Sequence, residues 1–553
     1  MGRMTGARAI LECLKMEGVK YIFGAPGTGE AALLEEVCHF PDITYMLTLH
    51  ENVTVGMADG LARGGGGIGV VNVHTSAGTS NSIGPLYNAF VGKLPVLMIV
   101  GNKDVRILGR NCFSEVRDFP AMTSQFTKWS WETRRADRIP EDLLRGIKIA
   151  TTLPRGPVFL SVTEDQFKEE IEVKELVSLR PKSPLLPAGN EEEIGRAARL
   201  LVNAKKPLFI AGNEIAGCKA LDEAVWLAEA LGLPVMTEAR ESVSTLNFPH
   251  SHPSFRGVFD PASPYVKEAD VILGMGCKMF VQMRYPIQPE IPAGATILHF
   301  QSDPYELGRT YPEEVAVLCD AGQGLARLKE AVIPLLTDHL KKACETRRLS
   351  LKREKERLVA EREEEIRKAW ERRPISIARL AGEMNRTLPK DTIIVEEAIR
   401  SAPSFLRFYD FEVPGTYHAN EGGFIGWCVP AALGMKLANP ERRVVAFVGD
   451  GGFLFSPQSL WTAARYNIPV IIVIPNNRQY QAVRDACIRY DGPAARSGRF
   501  VGCDIREPEI DICQLAASFG VWARKVSEPE EIGPRLEEAL ELGKPTLIDV
   551  RIA

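Results

Sequence analysis

Short apolar runs separated by helix-patterned segments recur along almost the whole chain, and that alternation constrains the fold more than any other feature. Between residues 1 and 170 the runs are YIFG, YMLT, IGVVNV, PVLMIV and PVFLSV. Runs of about four to eight apolar residues bounded by glycine or proline suit parallel strands covered on both faces, and the amphipathic segments between them suit crossover helices. After the proline-containing LRPKSPLLPAG, the runs PLFIAG, LPVMT, VILGMG and TILHF repeat the pattern over 185–335, and TIIVEEA, RVVAFVG, VIIVIPNN and PTLIDVRIA repeat it over 374–553. Residues 336–373 are dense in Lys, Arg and Glu, which predicts a solvated connecting helix. The expected class is α/β, with three Rossmann-like domains, each a mostly parallel sheet flanked by helices.

Composition narrows the function classes. With 553 residues, 45% of them apolar and 25% charged, the chain can bury large cores, and a formal net charge of −4 offers no basic surface for nucleic acid or anionic lipid. Its eleven cysteines are scattered singly, without the paired spacing of a zinc site or a disulfide framework, which fits a reducing cytoplasm. MGRMTGARAILECLKMEG reads as an amphipathic helix without the apolar core of a signal peptide, and no apolar run reaches the ~18 residues of a membrane span. A soluble cytoplasmic protein acting on small molecules is expected.

FVGDGGFLFSPQSLWTAARYNIPVIIVIPNN is the most informative stretch. RVVAFVG reads as a strand that stops at Gly449-Asp450-Gly451-Gly452. Ser456 then offers an N-cap with Pro457 at the first helical position, Asn467 ends the helix, and the next strand closes on Asn476-Asn477. Two parallel strands joined this way bring their carboxyl ends to one sheet edge, where α/β folds bind ligands. Asp450 and Asn477 then supply hard oxygen donors suited to Mg²⁺ or Ca²⁺, especially beside a phosphate. Gly451 and Gly452 allow the backbone close to an anion near a helix start.

A GDG closed by NN at this spacing resembles the signature of the thiamine diphosphate (ThDP) enzymes. The resemblance implies that Asp450, the Asn477 side chain and the Gln479 main-chain carbonyl hold Mg²⁺, which clamps the cofactor's diphosphate. LTLHENVTVGMADGLAR is similar to the family's glutamate motif, which implies that Glu51 protonates the aminopyrimidine. HANEGGFIGWCVPAALG resembles the string that gives the pyrimidine a carbonyl, here Gly423, and a bulky residue enforcing the bent cofactor, here Ile425. The order implied is a pyrimidine-binding domain (1–170), a central domain (185–335), a charged linker helix (336–373) and a diphosphate-binding domain (374–553). Family members bind ThDP between subunits, which implies a homodimer or homotetramer.

FGAPGTGE, VNVHTSAGTSNSIGPLYNAF, HPSFRGVFD, LWTAARYNIP and NNRQYQAVR resemble benzoylformate decarboxylase and its relatives. This implies that His74 assists proton transfers and that Thr28 stands where the group has a substrate-binding serine. Met283, in GCKMFVQMRYP, stands where the group has a second catalytic histidine, and Asp485, beyond Ala482-Val483, stands where an aromatic residue would help enclose a phenyl ring. The implied reaction is decarboxylation of a 2-oxo acid through a C2-carbanion and enamine, followed by protonation or by carboligation. Acetolactate synthase-type carboligation or 2-hydroxyacyl lyase chemistry is the alternative, and a non-catalytic protein of the same fold a lesser one. No GxGxxG opens a helix as in a Rossmann dinucleotide site, and FAD in the central domain is left open. His418, Asn420 and Glu421 are polar neighbours of the glycine turn without an assigned role.

Overall fold

The structure is a computed structural model that describes residues 2–173, 176–182, 184–239, 242–281 and 289–552. It contains three six-stranded sheets and a two-stranded antiparallel pair, Gly2–Thr5 with Glu170–Val173. By packing, the chain falls into two compact units. One comprises Met1–Pro184, Ile394–Ala402 and Gly422–Ala553, the other Leu185–Ile393 and Pro403–Glu421.

The first unit carries two of the sheets. In the N-terminal one the order is Thr44–Leu47, Tyr21–Ala25, Gly69–His74, Val96–Asn102, Val158–Thr163 and Trp129–Glu132, with every adjacent pair parallel. Gly69–His74, Val96–Asn102 and Val158–Thr163 are buried almost throughout, as strands covered on both faces must be. In the C-terminal sheet five of the six strands, Ile393–Glu397, Val444–Val448, Val470–Asn476, Thr546–Arg551 and Trp522–Val526, lie side by side in that order.

Two helices of this unit, Glu51–Arg63 and Cys428–Ala438, cross at glycine. A methyl group on Gly60 would overlap the Ala431 carbonyl, and one on Gly434 would overlap the Met57 carbonyl. The glycines of GMADG and PAALG thus let backbone meet backbone, and the helix that begins at Glu51 is held directly against the one that follows the glycine turn.

The second unit holds the third sheet, in the order Phe255–Val258, Val235–Thr237, Pro207–Ala211, Val271–Met275, Thr296–Gln301 and Val315–Leu318, again parallel. The charged stretch forms one helix, Asp338–Ala369, with Cys344, Leu351 and Ala369 buried. It is not simply solvated. Arg347 donates to the carbonyls of Ala204 and Leu231, and Lys355 to that of His250.

Among the described residues no helix is long and apolar enough to cross a membrane.

Candidate active site

Val444–Val448 and Val470–Asn476 are parallel neighbours, with Phe447 opposite Val473, so Gly449 and Asn477 leave the sheet at the same edge. The Tyr480 ring lies where a side chain on Gly451 would stand. The two asparagines divide their work. Asn476 is buried, donates to Asp549 at 2.8 Å and accepts the Arg478 N–H, whereas Asn477 is half-buried and accepts the Gln479 N–H at 3.1 Å. The Gln479 carbonyl accepts from the Gln481 N–H at 2.9 Å.

Asp450 is 4% exposed, and its Oδ2 has no hydrogen-bond partner among the described residues. Burial pushes its carboxyl up to about 6, against the pull of the Gly451 and Arg478 N–H groups. An orphaned, buried carboxylate oxygen beside amide oxygens fits a small hard cation, and no group of three or more His, Cys, Asp or Glu side chains suited to a metal occurs among the described residues.

The helix expected after Ser456 begins later, at Ser459, following the short Asp450–Phe453 turn of helix. Ser456 does not cap it through its side chain. Its hydroxyl donates to the buried Gly426 carbonyl at 2.7 Å.

Glu51 is the first residue of Glu51–Arg63, after His50, whose Nδ1 accepts the Asn52 N–H. Its Oε2 accepts from Asn81 Nδ2 at 3.0 Å. His74 closes the strand Gly69–His74, and its Nδ1 lies 2.8 Å from Oε2 of Glu30, which is fully buried and also accepts the Gly27 N–H at 2.9 Å. A Cβ on Gly27 would overlap the His74 ring, so only glycine lets the FGAPGTGE turn lie flat on the imidazole. Thr28 is exposed on the same turn, in Thr28–Glu30.

Gly423 and Gly426 take the left-handed conformation (φ 75° and 87°), and Ile425 sits half-buried between them. Glu397, at the end of its strand, accepts the N–H groups of Gly426, Trp427 and Cys428 at 2.6, 2.8 and 2.8 Å. Complete burial pushes that carboxyl up to about 7 even so. Asp485 pairs with Arg400 at 2.6 Å and accepts from Gln481 Nε2.

In the second unit, the sheet edge where a dinucleotide would bind is filled by protein carboxylates. Glu238 accepts the main-chain N–H groups of Asn213 and Lys278, and Glu214 accepts the N–H and hydroxyl of Ser302. Lys278 pairs with Glu421, which also accepts from Ser244.

Three family profiles match along the chain: the N-terminal TPP binding domain of thiamine pyrophosphate enzymes over 4–122, their central domain over 194–328 and their C-terminal TPP binding domain over 401–550. A benzoylformate decarboxylase of Pseudomonas aeruginosa is 30% identical over 549 residues, covering 98% of each chain. The chain belongs to the thiamine pyrophosphate enzyme family. A probable acetolactate synthase large subunit of Methanocaldococcus jannaschii is 29% identical over 99% of this chain and 92% of its own. Among solved structures, the ThDP-dependent 4-hydroxybenzoylformate decarboxylase of Rhodococcus jostii RHA1 superposes with a TM-score of 0.85 at 27% identity, covering 99% of both chains.

Within this thiamine pyrophosphate enzyme, Glu30 and Glu397 are the residues that sequence reasoning passed over. Both stand in quoted strings, FGAPGTGE and TIIVEEA, and the available signal was a carboxylate closing an apolar stretch, where burial forces it to find partners. Met283 lies outside the described residues.

Proposed function

We propose that the protein is a ThDP- and Mg²⁺-dependent enzyme that decarboxylates a 2-oxo acid in the manner of benzoylformate decarboxylase, with carboligation as a second outcome. The observation that carries this reading is the His74–Glu30 pair, a buried carboxylate fixing one imidazole nitrogen. With Nδ1–H given to Glu30, Nε2 is the atom that takes and returns protons, the arrangement expected of a general acid–base.

When bound, ThDP supplies the electron sink that lets a 2-oxo acid lose CO₂. Asp450, the Asn477 amide oxygen and the Gln479 carbonyl hold Mg²⁺ and through it the diphosphate, with Gly451 and Gly452 letting the backbone approach. Glu51 holds a proton at the aminopyrimidine ring, Gly423 offers its carbonyl to the amino group, and Ile425 bends the cofactor. Thr28 orients the substrate through its hydroxyl, and His74 protonates the product carbon. The residue assignments imply the domain order and limits given above, and a homodimer or homotetramer in which Glu51 and the metal site serve one cofactor from different chains. Cytoplasmic residence agrees with eleven free cysteines.

One observation favours a second reading. The Asp485–Arg400 ion pair puts charge where an aryl pocket needs an aromatic wall, which suits a small aliphatic 2-oxo acid and acetolactate synthase-type carboligation.

The test is CO₂ release with ThDP and Mg²⁺ from benzoylformate, branched 2-oxo acids and pyruvate, with NMR of the products. Aldehyde supports the decarboxylase, an acyloin or acetohydroxy acid the carboligase. ThDP binding without CO₂ from any substrate overturns both.

A further inference from the structure

The turn around Ile425 is gripped from both sides by residues without an assigned role. On one side, Asn88 of the helix Thr75–Val91 makes two bonds to the main chain of a single residue. Its Nδ2 donates to the Phe424 carbonyl at 2.9 Å and its Oδ1 accepts the Phe424 N–H at 3.1 Å. Asn88 is 1% exposed, and the Phe424 ring lies where a side chain on Gly84, one helical turn earlier, would be. On the other side, Glu397 collects three consecutive N–H groups, those of Gly426, Trp427 and Cys428. The Gly426 carbonyl is held in turn by the Ser456 hydroxyl.

These bonds do more than stabilise a helix start. A primary amide that both donates to and accepts from one residue's main chain fixes the two peptide groups that flank it, and a carboxyl group that accepts three N–H groups fixes the three residues after Ile425. The same carboxylate lies beneath the GDGG string, since a side chain on Gly452 would stand 2.7 Å from Glu397 Oε1. One group therefore ties the glycine turn to the segment that follows Asp450.

We propose that Asn88 and Glu397 are positioning residues that lock the main chain on either side of Ile425, and so set the shape of the surface against which the two rings of ThDP are bent. The proposal rests on the ThDP reading above. It assigns Asn88 to the ring half of the cofactor, whereas Glu397 also borders the GDGG segment.

The experiment compares the wild type with Asn88→Ser and Glu397→Gln in two measurements. Calorimetry gives the affinities for ThDP and for inorganic pyrophosphate, each with Mg²⁺, and hydrogen exchange by mass spectrometry follows the peptide spanning 422–430 in the cofactor-free protein. Losing hydrogen bonds of this kind is expected to weaken ThDP binding about 10- to 100-fold. In Asn88→Ser, pyrophosphate binding should stay within about threefold, because Asn88 touches only the ring side. Exchange of the Phe424 amide should speed up in Asn88→Ser and that of the Gly426–Cys428 amides in Glu397→Gln, while Val444–Val448 keeps its protection. If Glu397→Gln does not fold, Asn88→Ser decides alone. Unchanged exchange in the turn, or equal weakening of ThDP and pyrophosphate in Asn88→Ser, would overturn the proposal. A wild type that binds pyrophosphate but not ThDP would overturn the cofactor reading itself, and the proposal with it.

Discussion

His74 and Glu30 meet at 2.8 Å between Nδ1 and Oε2, with the carboxylate fully buried and the imidazole partly open. The histidine ends one strand, and the glutamate sits at the end of the turn that follows the neighbouring parallel strand. Sheet register therefore sets their approach, and the acid fixes which ring nitrogen carries the proton.

Glu30→Gln keeps the size of the side chain but replaces the carboxylate that holds His74 Nδ1. The expected result is a kcat lower by about 100-fold with KM nearly unchanged, since general acid–base groups contribute on that scale. A pH–rate profile that does not differ from wild type would show that the pair has no part in proton transfer.

Asp450→Ala removes the orphaned carboxylate oxygen of the loop proposed to hold Mg²⁺. Ligand binding raises the stability of the folded state by about 2.7 kcal/mol at a hundredfold excess over Kd, so ThDP with Mg²⁺ should raise the wild-type Tm and leave that of the variant unmoved. Chelation by EDTA should cancel the wild-type shift. A shift that survives both treatments would remove Asp450 from the site.

Gly434→Ala places a methyl group against the Met57 carbonyl at the helix crossing. Overpacking of this kind costs about 1–3 kcal/mol. Urea unfolding should show a lower midpoint, and the exposed Gly217, which has open space where a Cβ would go, serves as the control.

His250 is stacked on Phe255 with ring centroids 4.3 Å apart, meets Phe411 edge-on, and is faced by Lys355 and Arg362. Burial, reinforced by those two cations, lowers its pKa from the ordinary 6.5 to about 3. A base depressed in the folded state contributes stability that is present above 6.5 and lost as pH falls towards 3, because the unfolded chain takes the proton first. The loss is about 1.4 kcal/mol per pH unit. His250→Phe should flatten the fall in urea midpoint between pH 6.5 and 4.5, and an unchanged slope would contradict it.

Much of the architecture could be read from the chain because buried parallel strands need continuous apolar runs. RVVAFVG and VIIVIPNN became Val444–Val448 and Val470–Asn476 for that reason. Strands such as Trp129–Glu132 and Trp522–Val526 escaped notice because they lie at sheet edges, where side chains are part-exposed and the run is broken by charge. The helix after Asp450 starts at Ser459, and the Ser456 hydroxyl bonds Gly426, 30 residues away in sequence, a contact no local rule contains.

Local chemistry by itself determined the α/β class and the strings in which a cofactor site would be sought, and the resemblance of those strings pointed to the thiamine pyrophosphate enzymes. Hydrophobic period and glycine spacing are written along the chain and survive without any neighbour. Tertiary structure alone decided that Glu30 stands behind His74, that Glu397 collects the amides of 426–428 and that Asn88 holds Phe424 from 336 residues away. A buried carboxylate or amide is defined by the partners that compensate its lost water, and those partners are fixed by packing between distant segments, not by sequence distance.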